Sequence, residues 1–68
     1  MTPKQKIIYD AIKDFQKKNG YSPTYQELAN ATSMKSKASV HKIVKQLKER
    51  NKIIHIDGKN RSIEILHG

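Results

Sequence analysis

Apolar residues in this chain recur three times with helical spacing before the pattern changes to short β-branched runs. Ile7, Ile8, Ala11, Ile12 and Phe15 fall at i, i+1, i+4, i+5 and i+8, one stripe of a 3.6-residue helix. Ahead of them stand a capping Thr2, Pro3 at a position that suits the first helical turn, and Gln5, placed to close a capping box. Asn19-Gly20 supplies the stop, because Gly takes the left-handed conformation without steric penalty. The pattern predicts a helix over residues 3–18 with all five stripe residues, Phe15 included, in the core.

Pro23 disfavours helix at Ser22, so Tyr21-Ser22-Pro23 reads as a connector. Thr24 and Glu27 form a second capping box before Leu28, Ala29 and Ala31, which predicts a short helix. Thr32-Ser33-Met34 reads as a turn, with Met34 plugging the core. Ser33 stands where many such turns carry Gly, and a positive φ there costs a non-Gly residue about 1 kcal/mol, so either the turn relaxes or the domain tolerates that loss. Ser36 caps a third helix, residues 37–50, whose stripe is Val40, Ile43, Val44 and Leu47 at i, i+3, i+4 and i+7. Asn51 is placed to end it in a left-handed conformation. Runs 53–56 and 62–66 then flank Asp57-Gly58-Lys59-Asn60, a hairpin signal. The expected fold is mostly α with a small β-hairpin. It is a winged helix-turn-helix of three helices and a two-stranded antiparallel wing, in one domain over residues 1–68. The helix-turn-helix spans about residues 24–50 and the wing about 53–66.

Composition narrows the function. At 68 residues the chain is near the lower limit for a domain that folds without staples, and it has no Cys to supply a disulfide. No apolar run approaches a membrane span, and nothing behind the N-terminus resembles a signal peptide. A cytoplasmic, nucleoid-associated protein of bacterial or phage origin is expected. His41, His55 and His67 are far apart and lack the i, i+4 spacing of a helical zinc pair, so neither metal nor cofactor is expected. Ser39 and His41 are neighbours, but they project from a helix surface with no pocket to exclude water. No enzyme activity or small-molecule substrate is expected.

Charge points to the partner. Fourteen Lys and Arg against six Asp and Glu give +8, and residues 33–52 carry seven basic residues against Glu49 alone. A Lys-rich solvated surface is the plain alternative, but an excess concentrated on one helix favours a face for a polyanion. A helix about 10–12 Å across fits the major groove of B-DNA, about 12 Å wide. Removing the buried stripe leaves Lys37, Ala38, Ser39, His41, Lys42, Lys45 and Gln46 outward, and Ser36, Ala38, Ser39, His41 and Lys42 are the base-reading candidates, because residues near the start of a recognition helix reach the base edges. Backbone candidates are Thr24 and Tyr25 at the start of the second helix, and Lys35, Lys37 and Lys45 around the third. In the wing, Lys59, Asn60 and Arg61 are placed to approach a minor groove. The plain alternatives are Thr24 as no more than a cap, Tyr25 as a ring that simply packs or lies exposed, and Arg61 as a solvated turn residue. The competing function is a protein-interaction module on the same fold, such as a phage or plasmid accessory protein. Preference for a duplex sequence separates the two. A single-strand or RNA binder ranks third, since Tyr9, Phe15, Tyr21 and Tyr25 are too few for a stacking platform.

The chain from Thr2 to Leu66 also resembles the N-terminal DNA-binding domain of the LexA repressor family. The likeness rests on the Thr-x-x-Gln opening, Gly20-Tyr21-Ser22-Pro23-Thr24, Glu27-Leu28-Ala29, Lys35-Ser36, Leu47, Ile53, and Gly58 with Arg61 before Ile63. It implies a repressor that occludes a promoter, with damage-response (SOS) regulation as a further implication. The family's base-reading positions correspond to Ser36, Ala38, Ser39, His41 and Lys42. There the family usually carries Asn in place of Ala38 and acidic residues in place of His41 and Lys42. A carboxylate accepts from cytosine N4 whereas Lys42 only donates, so the target sequence is expected to differ. The resemblance also implies a C-terminal portion that dimerises and cleaves itself with a Ser-Lys pair, to which nothing in these residues corresponds. A single such domain is expected to read one half-site weakly, with a homodimer on paired half-sites supplying affinity.

Overall fold

A computed structural model describes residues 1–66 other than Lys35, Asp57 and Asn60. The expected positions Lys35 and Asn60 therefore lie outside the described residues. Three helices, α1 (Pro3–Asn19), α2 (Tyr25–Ala31) and α3 (Lys37–Glu49), precede β1 (Ile53–Ile54) and β2 (Glu64–Ile65). The strands pair antiparallel with Ile53 opposite Ile65 and Ile54 opposite Glu64. This is the winged helix-turn-helix expected.

Local chemistry sets the boundaries. Thr2 and Gln5 cap α1 reciprocally, as Thr24 and Glu27 cap α2. Gly20 ends α1 at φ 78°. Past the end of α3, Asn51 sits at φ 59°. The Asn51 N–H donates to the Lys48 carbonyl at 3.0 Å, and the Lys52 N–H to that of Leu47 at 3.0 Å. These are the two bonds of a Schellman ending.

Of the two alternatives for the turn between α2 and α3, the relaxed one is found. Among described residues only Asn51 and Arg61 are non-Gly with positive φ, so Ser33 is relaxed. Thr32 explains it: its backbone is extended, and its hydroxyl donates to the Leu28 carbonyl at 2.8 Å while accepting the Met34 N–H at 3.3 Å. The side chain does the work a left-handed Gly otherwise does. Met34 packs partly buried against the core, as expected of a plug.

All elements contribute to one core. Ile8 and Ile12 of α1, Leu28 of α2, Val40, Val44 and Leu47 of α3, and Ile53 and Ile63 of the wing are almost wholly buried. The hairpin reaches α3 through β1 and α1 through β2. Two core expectations need correction. Ile7 is 46% exposed and Phe15 only half-buried, its ring edge-on to Tyr21 at 5.6 Å. The buried line of α1 runs through Gln5, Ile8 and Ile12 instead, and Gln5 is 4% exposed. Its amide is satisfied at both ends: Oε1 accepts the Thr2 N–H at 3.3 Å and Nε2 donates to Gln46 Oε1 of α3 at 3.0 Å. A hydrogen-bonded amide can therefore hold a core-facing position.

The hairpin ladder is shorter than the β-branched runs suggest. A turn closes early, with the Lys59 N–H on the Ile56 carbonyl at 3.1 Å and Gly58 at φ 77°. Ser62 then replaces a strand partner: its hydroxyl accepts the Ile56 N–H at 3.1 Å. Arg61, at φ 56°, cannot continue an extended strand.

Candidate nucleic-acid interface

Helix α3 turns a clean polar face outward. Its buried stripe leaves Lys37, Ala38, Ser39, His41, Lys42 and Lys45 exposed. At 100° per residue, Ala38, Lys42 and Lys45 run down the middle of that face. Two depressions flank it. One, between α3, the start of α2 and the wing, is a cleft of about 680 Å³ lined by Tyr25, His41, Lys45, Lys48 and His55 among others. The other, on the α1 side, is bordered by Ser39, Lys42, Ile7 and Lys4. The base-reading candidates thus divide, with His41 toward the wing, Ser39 and Lys42 toward α1, and Ala38 on the crest.

Several candidates are already engaged within the domain. Ser36 caps α3, its Oγ accepting the Ser39 N–H at 3.3 Å and lying 3.2 Å from the Ser39 hydroxyl. Thr24 Oγ1 accepts the Glu27 N–H at 3.2 Å, and the Glu27 carboxylate accepts the Thr24 N–H at 2.8 Å. A carboxylate thereby occupies the start of α2, where the sequence suggested a phosphate. The Tyr25 hydroxyl lies 3.2 Å from His55 Nδ1 and 3.3 Å from Nε2, and its ring packs partly buried against the core.

Arg61 is folded back onto the domain. Its Nη1 donates to Glu27 Oε1 at 2.8 Å and to the Ser22 carbonyl at 3.1 Å, and its Nη2 to Glu27 Oε2 at 3.3 Å. The guanidinium carbon also sits 4.6 Å from the centre of the Tyr21 ring. This two-pronged pairing ties the wing to the connector before α2. The Thr24 backbone N–H, followed by the Arg61 guanidinium, holds the Glu27 carboxyl below its ordinary pKa. Lys59 remains exposed near the wing's tip.

The sequence gives Glu27 a capping role alone and places Gln46 on the outward face, whereas Gln46 is half-buried and accepts from Gln5 Nε2 at 3.0 Å; it gives His55 and Tyr21 no place in the interface. Glu27 and Arg61 are 34 residues apart, and Tyr25 and His55 are 30 apart. No periodicity signals such pairs. Among the described residues no helix is long and apolar enough to cross a membrane.

Comparison with known proteins agrees with this geometry. Residues 1–62 match the family model described as the LexA DNA binding domain. The chain is 36% identical over 67 residues to a LexA repressor of Syntrophobacter fumaroxidans, covering 97% of this chain and 32% of that protein. It is 38% identical over 63 residues to the LexA repressor of Clostridium tetani, covering 93% of this chain and 32% of that one. A third, from Desulfatibacillum aliphaticivorans, is 35% identical over 66 residues, with 97% and 32% covered. The chain thus spans about a third of the length of these relatives.

Proposed function

The chain belongs to the LexA DNA-binding domain family, and on that premise we propose that it is the sequence-specific double-stranded DNA-binding part of a transcriptional repressor. The observation that carries this reading is the outward face of α3. Its basic and hydrogen-bonding side chains are exposed together while Val40, Ile43, Val44 and Leu47 anchor the opposite face in the core. That presents a rigid rod of groove-fitting width with donors on its surface.

In the proposed docking α3 lies in the major groove, where Ala38, Ser39, His41 and Lys42 meet base edges. Ala38 suits a thymine methyl and Lys42 guanine O6 and N7. Lys37 and Lys45 neutralise phosphates at the groove rim. Lys59 leads the wing toward the neighbouring minor groove. Ser36, Thr24 and Arg61 chiefly hold this surface in shape. Repression follows by occlusion of a promoter, and two copies on paired half-sites supply the affinity one half-site lacks.

Selection from random duplexes followed by a salt titration tests the proposal. Contact with about five to seven phosphates predicts a log–log slope of roughly −4.5 to −6. Loss of sequence preference in the double variant His41→Ala, Lys42→Ala is the expected result. If no duplex is enriched, or the double variant binds and selects as before, the assignment of α3 as reading helix is wrong.

A further inference from the structure

One cluster on the α3 face belongs to neither the cap nor the core. Tyr25 lies between two imidazoles: its ring centre is 5.1 Å from that of His41 on α3, tilted 56°, and 5.3 Å from that of His55 in the wing, tilted 46°. Both separations fall in the range of favourable aromatic contact. Tyr25 has a fixed seat, since its ring packs against the core and its hydroxyl lies within hydrogen-bond reach of either His55 nitrogen. His41 is exposed. Among the described residues no group of three His, Cys, Asp or Glu side chains is close enough to hold a metal ion.

We propose that Tyr25 is a positioning residue for His41, and that His55 holds Tyr25 in place, so that the wing acts on major-groove reading through a side chain that touches no base. An exposed side chain loses rotamer freedom when it binds, and one already held against a neighbour loses less. Imidazole is also direction-sensitive, since one nitrogen donates and the other accepts in the neutral ring. A ring turned by a few tens of degrees presents a different pattern to a base edge. The Tyr25 face restricts that rotation.

This rests on the proposed function, and the test separates the two. Duplex selection and imidazole NMR are run on the full chain and on Tyr25→Leu, Tyr25→Phe, His55→Ala and His41→Ala. Tyr25→Leu keeps an apolar group on the core but removes the aromatic face. It is expected to flatten the base preference at the position that His41→Ala flattens, by about five- to tenfold, and to shift the His41 ring resonances. For His55→Ala, a residue with no assigned phosphate contact, binding to non-selected duplex and the salt slope should stay within twofold. Tyr25→Phe keeps the ring and loses the hydroxyl; together with His55→Ala it should give a smaller loss at the same position. Tyr25→Leu added to His41→Ala should change nothing further.

If Tyr25→Leu or, should that variant not fold, Tyr25→Phe and His55→Ala leave the His41 resonances and that base preference unchanged, the positioning role is overturned while DNA reading stands. The same holds if His41→Ala alters no preference in a chain that still selects a duplex. If the unaltered chain selects no duplex, the functional reading fails and the positioning role in base reading falls with it.

Discussion

The guanidinium of Arg61 and the carboxylate of Glu27 meet at 2.8 Å, joining the wing to the first turn of α2. The same carboxylate caps Thr24, and the same guanidinium reaches the Ser22 carbonyl and the Tyr21 ring. One Glu thus caps the start of a helix and anchors a hairpin.

Arg61→Lys keeps the charge and the backbone strain but removes the planar fork, so it is expected not to preserve the tether. Hydrogen exchange at the wing amides should rise several-fold, with the buried part of α3 unaffected. Unchanged wing exchange would mean that hairpin packing through Ile53 and Ile63 alone holds the wing.

Acid should loosen the same joint. The folded-state pKa of Glu27 is depressed, so its contribution is fully present above the ordinary carboxylate value of about 4.3 and is lost as pH falls through the folded value. The stability gap between the unaltered chain and Glu27→Gln should therefore be constant near neutrality and shrink below about pH 4. Urea melts across that range measure it. A gap that widens toward acid has the wrong sign for this account.

Leu47→Ala and Ile7→Ala make a paired test of the core. Leu47 is 0% exposed on α3, whereas Ile7 is 46% exposed on α1. Leu47→Ala is expected to cost about 2–5 kcal/mol, comparable to the whole stability of a domain this small, roughly 3–5 kcal/mol. Ile7→Ala should stay within about 0.5 kcal/mol. Equal losses would return Ile7 to the core.

Asn51 holds a left-handed conformation at φ 59°. Asn51→Ala is expected to lower stability by about 1 kcal/mol, and Asn51→Gly to leave it level or slightly raised. Thermal melts of both variants decide it. A neutral Asn51→Ala would show that the Schellman ending carries no strain.

Much of this molecule is legible in its sequence. The capping pairs Thr2–Gln5 and Thr24–Glu27, the α3 stripe and the order of elements all follow from interactions a few residues long. Such interactions leave a mark in spacing. The misjudged positions share another trait. Ile7 lies one position from Ile8 and fits an apolar stripe nearly as well, but which edge of the stripe is buried depends on where α3 packs. Gln5 looked like a cap and also became a core residue because Gln46, 41 positions away, satisfies its amide. The β-branched runs predict longer strands than the hairpin has, because they cannot show that Ser62 replaces a ladder partner.

The outward face of α3 carries the same division. Its membership, from Lys37 to Lys45, is decided by the sequence alone, since a 3.6-residue period leaves only one face for the polar residues. So are the helix ends, the charge of that face and the presence of a wing. Only the tertiary structure decides that Arg61 grips Glu27 and that Tyr25 stands between His41 and His55. The Arg61–Glu27 and Tyr25–His55 contacts cross 34 and 30 residues and form because the core brings distant side chains together, so no local periodicity encodes them.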